Sequence, residues 1–203
     1  MNWDGFYPYV LPSVIGCPNP TVDHHIRQAA IEFCRRTLCY TVTLDPITAD
    51  GVSFKFDLDL PSQTQPVKIM AAEVAGRDYP VVDTQRGLQL VRQDSVADFC
   101  FTQDKKTLNV HPLRTKGESV VVDMALMPTQ TATSIADDVA VPYMQEIAYG
   151  AIASLQMLPG QAWTDPGMAS ANKTLFNQRI ATVSMHFARG QAAAKLRGFK
   201  TYF

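Results

Sequence analysis

The sequence has no acidic residue after Asp165, no Cys-x-x-Cys pair and no long uncharged apolar run. Each absence narrows what the chain can be. Without a window of about 18 uncharged apolar residues, no membrane-spanning helix and no membrane partner are expected. The first residues, Met1-Asn2-Trp3-Asp4-Gly5, carry no basic charge, and Pro8 and Pro12 interrupt the apolar stretch behind them. A secretory leader is therefore not expected. The four cysteines, at positions 17, 34, 39 and 100, have no zinc-like spacing. They read as small, reduced, buried hydrophobes of a protein made in the cytosol.

Chemistry is equally sparse. There is no His-Glu-x-x-His, no calcium loop, no Gly-x-Ser-x-Gly elbow and no glycine loop that would cradle phosphate. His24 and His25 are adjacent, so on a helix they diverge by about 100° and cannot chelate one ion together. His111 and His186 are isolated. Asp57 and Asp59 fall on the charged face of a strand, and Asp137 and Asp138 at a helix start, where solvation and capping account for them. No catalytic residue, metal or cofactor is assigned, and an enzyme is not expected.

What the chain does have is an ordinary globular composition, 46% hydrophobic and 18% charged. That suffices for one domain, or one domain with a sizeable insertion. Its net charge of −1 hides an asymmetry. Lys173, Arg179, Arg189, Lys195, Arg197 and Lys200 give the part after Asp165 a formal +6, which leaves −7 for residues 1–165. Such a split fits a helix or tail that meets an acidic partner, and equally a solvated helix with cations at its C-terminal end.

Three parts can be read. Val10 to Gly16 is a short apolar segment closed by glycine, and a helix follows. Asn19 reads as its N-cap, Pro20 as its first residue and Asp23 as the acid of its first turn. Val22, Ile26, Ala29, Ala30 and Phe33 form its apolar stripe to about Leu38. Residues 41–131 read as antiparallel β-structure. Tyr40 to Leu44, Phe54 to Leu60, Ala97 to Thr102 and Val120 to Leu126 alternate with period two, and Val67 and Ile69 begin a further strand. Asp50-Gly51, Ala75 to Asp78 and Gln103 to Lys106 read as turns.

Two more helices follow. Asp138 caps one with the stripe Met144, Ile147, Ala148, Ala151, Leu155 and Leu158, stopped by Pro159-Gly160. Asp165-Pro166 opens another through Phe176, Ile180, Val183 and Phe187 to about Lys195. Each has one apolar stripe and none can bury it alone. The expected fold class is α+β: a three-helix bundle over 1–40 and 132–196, an inserted antiparallel β-region over 41–131 and an extended tail over 197–203. The bundle should close on Ile26, Phe33, Ile147, Leu155, Phe176, Ile180 and Phe187.

The N-terminal string resembles that of the head-to-tail adaptor proteins of tailed bacteriophages. In that family a pattern close to L-P-x-V-x-G-C-P-x-P precedes a helix containing A-A-x-E-F-C-x-R. Leu11, Pro12, Val14, Gly16, Cys17, Pro18, Pro20, Ala29, Ala30, Glu32, Phe33, Cys34 and Arg36 fit it. The resemblance extends to Asp165-Pro166 and to the basic-aromatic ending, whereas the β-region carries no family motif. It implies a structural virion protein at the neck between head and tail, assembled in the host cytoplasm. Its partners would be the phage portal protein, a downstream tail or nozzle protein and further copies of itself in a closed ring of about twelve.

Double-stranded DNA would pass through without specific binding. Consistent with that, residues 41–140 hold 14 acids and 9 bases, a net of −5, whereas gripping a duplex needs clustered cations. Arg197, Phe199, Lys200, Tyr202 and Phe203 are the expected portal-binding residues, aromatic anchors interleaved with cations. The competing reading is a small DNA- or protein-binding regulatory module that uses the basic C-terminal helix.

Overall fold

Two tight turns of 3-10 helix, Trp3–Phe6 and Leu11–Ser13, flank a single helical turn α1 (Tyr7–Val10), and together they lead into the long helix α2 (Asn19–Thr37). A computed structural model describes residues 1–93 and 96–188 of the chain. Within them follow β1 (Thr41–Thr43), β2 (Ile47–Thr48), β3 (Lys55–Asp57), β4 (Thr64–Val74), β5 (Arg77–Tyr79), α3 (Thr84–Arg92), β6 (Phe99–Phe101), β7 (Thr107–His111), β8 (Ser119–Pro128), α4 (Asp137–Gln156) and α5 (Pro166–Ala188).

These elements overturn the expected fold class. The described residues form a mixed α/β protein with five α-helices and two antiparallel sheets, not a three-helix bundle carrying a small β-insertion. The physical reason lies in the middle of the chain. Its strands bury apolar residues in a core of their own, and they fold into two sheets with a helix between strands. Two compact units result among the described residues: Met1–Cys39 with those from Gln130 to Ala188, and Tyr40–Thr129.

In the helical unit, α4 is the central element. From Ile147 to Gln156 only Tyr149 and Ser154 keep partial exposure, as expected of a helix that is apolar all round. Against it pack Ile26, Ala30 and Phe33 of α2 and Ala169, Phe176 and Ile180 of α5, all buried. Phe187, expected in this core, is only half-buried. The α2 start differs from the reading as well. Pro18, in an extended conformation, is the N-cap and makes no side-chain cap bond, so Asn19 and Pro20 are the first two helical residues. Asp23 therefore lies beyond the first turn, where its carboxylate accepts from the Tyr7 hydroxyl at 2.9 Å. Burial and that carboxylate push the Tyr7 hydroxyl up to about 12. Helix α4 starts at Asp137, with Ala136 as its N-cap, and Pro142 kinks it at Tyr143. At α5 Asp165 does cap: its Oδ1 accepts from the Met168 N–H at 2.9 Å.

In the β unit, β8 is the spine of the larger sheet, in the order β1-β8-β4-β5 with β2 also on β8. The smaller sheet runs β3-β7-β6. Ile69, Val74, Val122, Met124 and Leu126 from the first share one apolar cluster with Phe56, Cys100, Leu108 and Val110 from the second. The β4–β5 loop is two residues rather than four. Ala75 and Gly76 both have positive φ, and Val74 pairs directly with Arg77, as a tight hairpin of matching twist requires. The alternation read over Phe54 to Leu60 yields only the three residues of β3, with Phe54 left exposed.

Candidate functional site

The portal-binding residues expected from the sequence, Arg197, Phe199, Lys200, Tyr202 and Phe203, lie outside the described residues, as does the segment 197–203 as a whole. What is described is the helix that leads towards them. Helix α5 carries two stripes. Ala169, Asn172, Phe176 and Ile180 face the unit's core. Met168, Ala171, Leu175, Gln178, Thr182 and Met185, spaced three and four apart, form a second row on the opposite side, and all six are exposed. Met168 is 52% exposed, Leu175 39% and Met185 50%. No charge falls in that row. A helix solvated on its outer face ordinarily puts charged residues there, and sequence reading missed this row because it sought only one stripe per helix.

Beside the inner stripe runs a groove of about 730 Å³ within the helical unit, lined by small residues such as Ala29, Gly150, Ala153 and Ala169. Glu32, Arg35 and Lys173 stand on its lining. Glu32 accepts from Arg36 at 2.8 Å and from Lys173 at 3.2 Å, and Arg36 also donates to Asn177. Burial pushes the Glu32 carboxyl up, but the hydrogen bonds and charges of Arg36 and Lys173 outweigh it and hold the group below its ordinary value. The Lys173 ammonium in addition lies 5.0 Å from the centre of the Phe176 ring. These charges latch α2 to α5; they do not converge on an open reacting position.

The histidines are dispersed. His24 and His25 meet edge to face with centroids 5.4 Å apart, and His25 Nδ1 pairs with Ser154 Oγ at 2.8 Å. Burial first, then the neighbouring His24, lowers the His25 pKa. His111 lies 5.0 Å from the Phe99 ring and 5.9 Å from Phe54. Among the described residues no group of three His, Cys, Asp or Glu side chains could hold a metal ion, and no described helix is long and apolar enough to cross a membrane.

In the β unit the most buried cation is turned to structural use. Arg114 lies over the Tyr79 ring, 5.3 Å from its centre, and donates to the Tyr79 hydroxyl. Asp98 and Glu118 stand within 4.0 Å of its guanidinium. Compared with protein-family models and with curated proteins, the chain matches none.

Proposed function

We propose that this chain is a structural virion protein, the head-to-tail adaptor of a tailed bacteriophage, which forms a ring between portal and tail. The observation that carries the reading is the uncharged outer row of α5. A helix with one stripe in its own core and a second, heptad-spaced row facing outward is suited to lie between two protein bodies. The row itself carries no charge, although the exposed Arg179 stands one turn from Leu175, and a repeated head-to-tail interface whose rotation closes makes a ring.

The N-terminal resemblance supports the same reading. Val14, Cys17, Ala29, Ala30, Phe33 and Cys34, six of the residues that fit the family pattern, are buried where the N-terminal turns run into α2 and along it. In this reading the basic segment 197–203 docks on the portal, the opposite side of the ring receives the downstream tail or nozzle protein, and about twelve copies match the portal's symmetry. The lumen lets DNA pass, since a channel without clustered cations does not hold the duplex.

The test is particle mass by light scattering, with and without purified portal rings. A closed oligomer on the portal supports the proposal. A monomer that ignores portal and shifts oligonucleotides instead points to the regulatory module.

A further inference from the structure

Cys34 and Cys39 are separated by a helix terminus that folds one back upon the other. Helix α2 ends at Thr37, and Leu38 takes the left-handed conformation, φ 57° and ψ 24°, with its N–H donating to the Cys34 carbonyl at 2.9 Å. A left-handed cap reverses the chain over the last helical turn. Thr37 fixes the reversal from both sides: its Oγ1 donates to the Phe33 carbonyl at 2.8 Å and accepts from the Cys39 N–H at 3.3 Å. In this kind of left-handed cap the side chain after the cap, here Cys39, packs back on the residue whose carbonyl is capped, here Cys34. Cys34 is completely buried, whereas Cys39 keeps part of its surface in solvent. The other two thiols contact main-chain carbonyls instead, Cys17 that of Pro18 at 3.9 Å and Cys100 that of Pro80 at 3.8 Å.

We propose that Cys34 and Cys39 form a reversible thiol–disulfide pair, in which Cys39 is the attacking sulfur and Cys34 the resolving one. Their chemistry suits those roles. A hydrogen bond from Cys34 holds Cys39 below the ordinary thiol value despite its partial burial, and the same bond, together with burial, keeps Cys34 protonated. A thiolate with solvent access is the form that reacts. The Tyr143 hydroxyl, raised by burial and then by the nearby Cys39 sulfur, stays neutral beside it.

The oxidant is a hydroperoxide. Cys39 thiolate attacks its terminal oxygen, the O–O bond breaks, and the departing oxide takes a proton to leave as water or an alcohol. Cys39 is then a sulfenic acid. Cys34 gives up its proton and attacks the Cys39 sulfur, the S–O bond breaks, and water leaves. Two thiols are oxidised and one peroxide is reduced. A small thiol such as glutathione reverses the bond by exchange. The bridge would tie the last turn of α2 to Cys39, the residue after which the chain passes into the β unit. This inference stands independently of the adaptor reading.

The test uses the full-length reduced protein and equimolar hydrogen peroxide. Thiols are counted in denaturant, and peptides are mapped by mass without reduction. The expected result is the loss of two thiols, one linked peptide joining Cys34 and Cys39 with a mass lower by about 2 Da, and full recovery with glutathione. Cys100 and Cys17 should react at least about tenfold more slowly. Cys34→Ser should stop at a Cys39 sulfenic acid that dimedone traps, and Cys39→Ser should leave Cys34 unreacted, circular dichroism confirming that both variants fold. Oxidation of Cys17 or Cys100 at the same rate overturns the proposal, as does an intermolecular disulfide through Cys39 in place of the linked peptide.

Discussion

The Phe176 ring lies against Gly150: a Cβ built on that glycine would stand 2.9 Å from the ring's Cε2 and Cζ, and 3.0 Å from the Ala29 Cβ. The missing side chain is what allows α2, α4 and α5 to meet at one point. Gly150→Ala is therefore expected to lose about 2–3 kcal/mol, the upper part of the overpacking range, more than the roughly 1 kcal/mol that alanine ordinarily gains over glycine in a helix. Urea unfolding checks it: the midpoint falls while the slope stays the same.

Phe33 and Phe176 meet with ring centroids 6.3 Å apart, both fully buried. Replacing either with alanine should cost about 3–5 kcal/mol by emptying a packed site. Because the rings share one contact, the double variant should lose less than the two single losses added together. Strict additivity in a double-mutant cycle would mean that the two sites are not energetically coupled.

Helix α3 hangs on two residues of different kinds. The Asp83 carboxylate accepts from the Arg86 N–H at 2.9 Å, and a Cβ at Gly87 would overlap the buried Phe101 ring. Asp83→Ala should cost about 1 kcal/mol as a lost cap, and Gly87→Ala should cost more because Phe101 must move. Thermal melts of the two variants, compared with wild type, give the ranking directly.

How far the sequence disclosed this fold depends on what each element buries. Helices α2, α4 and α5 were legible because Ile26, Phe33, Ile147, Leu155, Phe176 and Ile180 recur at helical spacing and bury together. Helix α3 was not, although Leu88, Leu90 and Val91 lie on one side of it and Gln85, Arg86, Gln89 and Arg92 on the other: it is only nine residues long, only Gly87 in it is buried, and Leu88 and Val91 remain exposed. The strand read over Ala97 to Thr102 is present as β6, although its alternation marks no solvent face. Phe99, Cys100 and Phe101 are all buried, since both faces of β6 are covered, and period two carries no information where neither face meets water. Of the candidate site, the C-terminal cations and aromatics were visible as residue types. The outer row of α5 was not, because Ala171, Gln178 and Thr182 look unremarkable until their exposure and common side are known.

Histidine 25 should leave a mark on the pH dependence of stability. Its folded pKa lies below the ordinary 6.5, through burial and then His24, so between those two values the unfolded chain binds more protons than the folded one. Stability is complete above 6.5 and declines as the pH falls toward the folded value. His25→Gln should flatten that part of the profile, measured as urea midpoint against pH. Glu32, also lowered, acts in the carboxylate range: its contribution is complete above 4.5 and is lost as the pH falls through the folded value. It is exposed enough that Glu32→Gln should cost under about 1 kcal/mol at neutral pH.

The segment Arg197 to Phe203 and the outer row of α5 make separable contributions if the chain is an adaptor. Leu175→Glu puts a charge in the middle of the uncharged row, and should block self-assembly while leaving the melting temperature within a few degrees of wild type. Sedimentation velocity on and off the portal checks the assembly, and a thermal melt checks the fold. Unchanged assembly by Leu175→Glu would remove α5 from the subunit interface.

The measurement that bears most directly on the adaptor assignment is binding of the full-length protein, and of a variant lacking residues 197–203, to DNA-filled, portal-bearing heads, followed by electron microscopy of the portal vertex. The account predicts a ring of about twelve copies at that vertex with the full-length protein, and empty vertices with a truncated protein whose helix content is unchanged. Portal vertices left bare by the full-length protein, with the protein itself monomeric and bound to oligonucleotides, would contradict it.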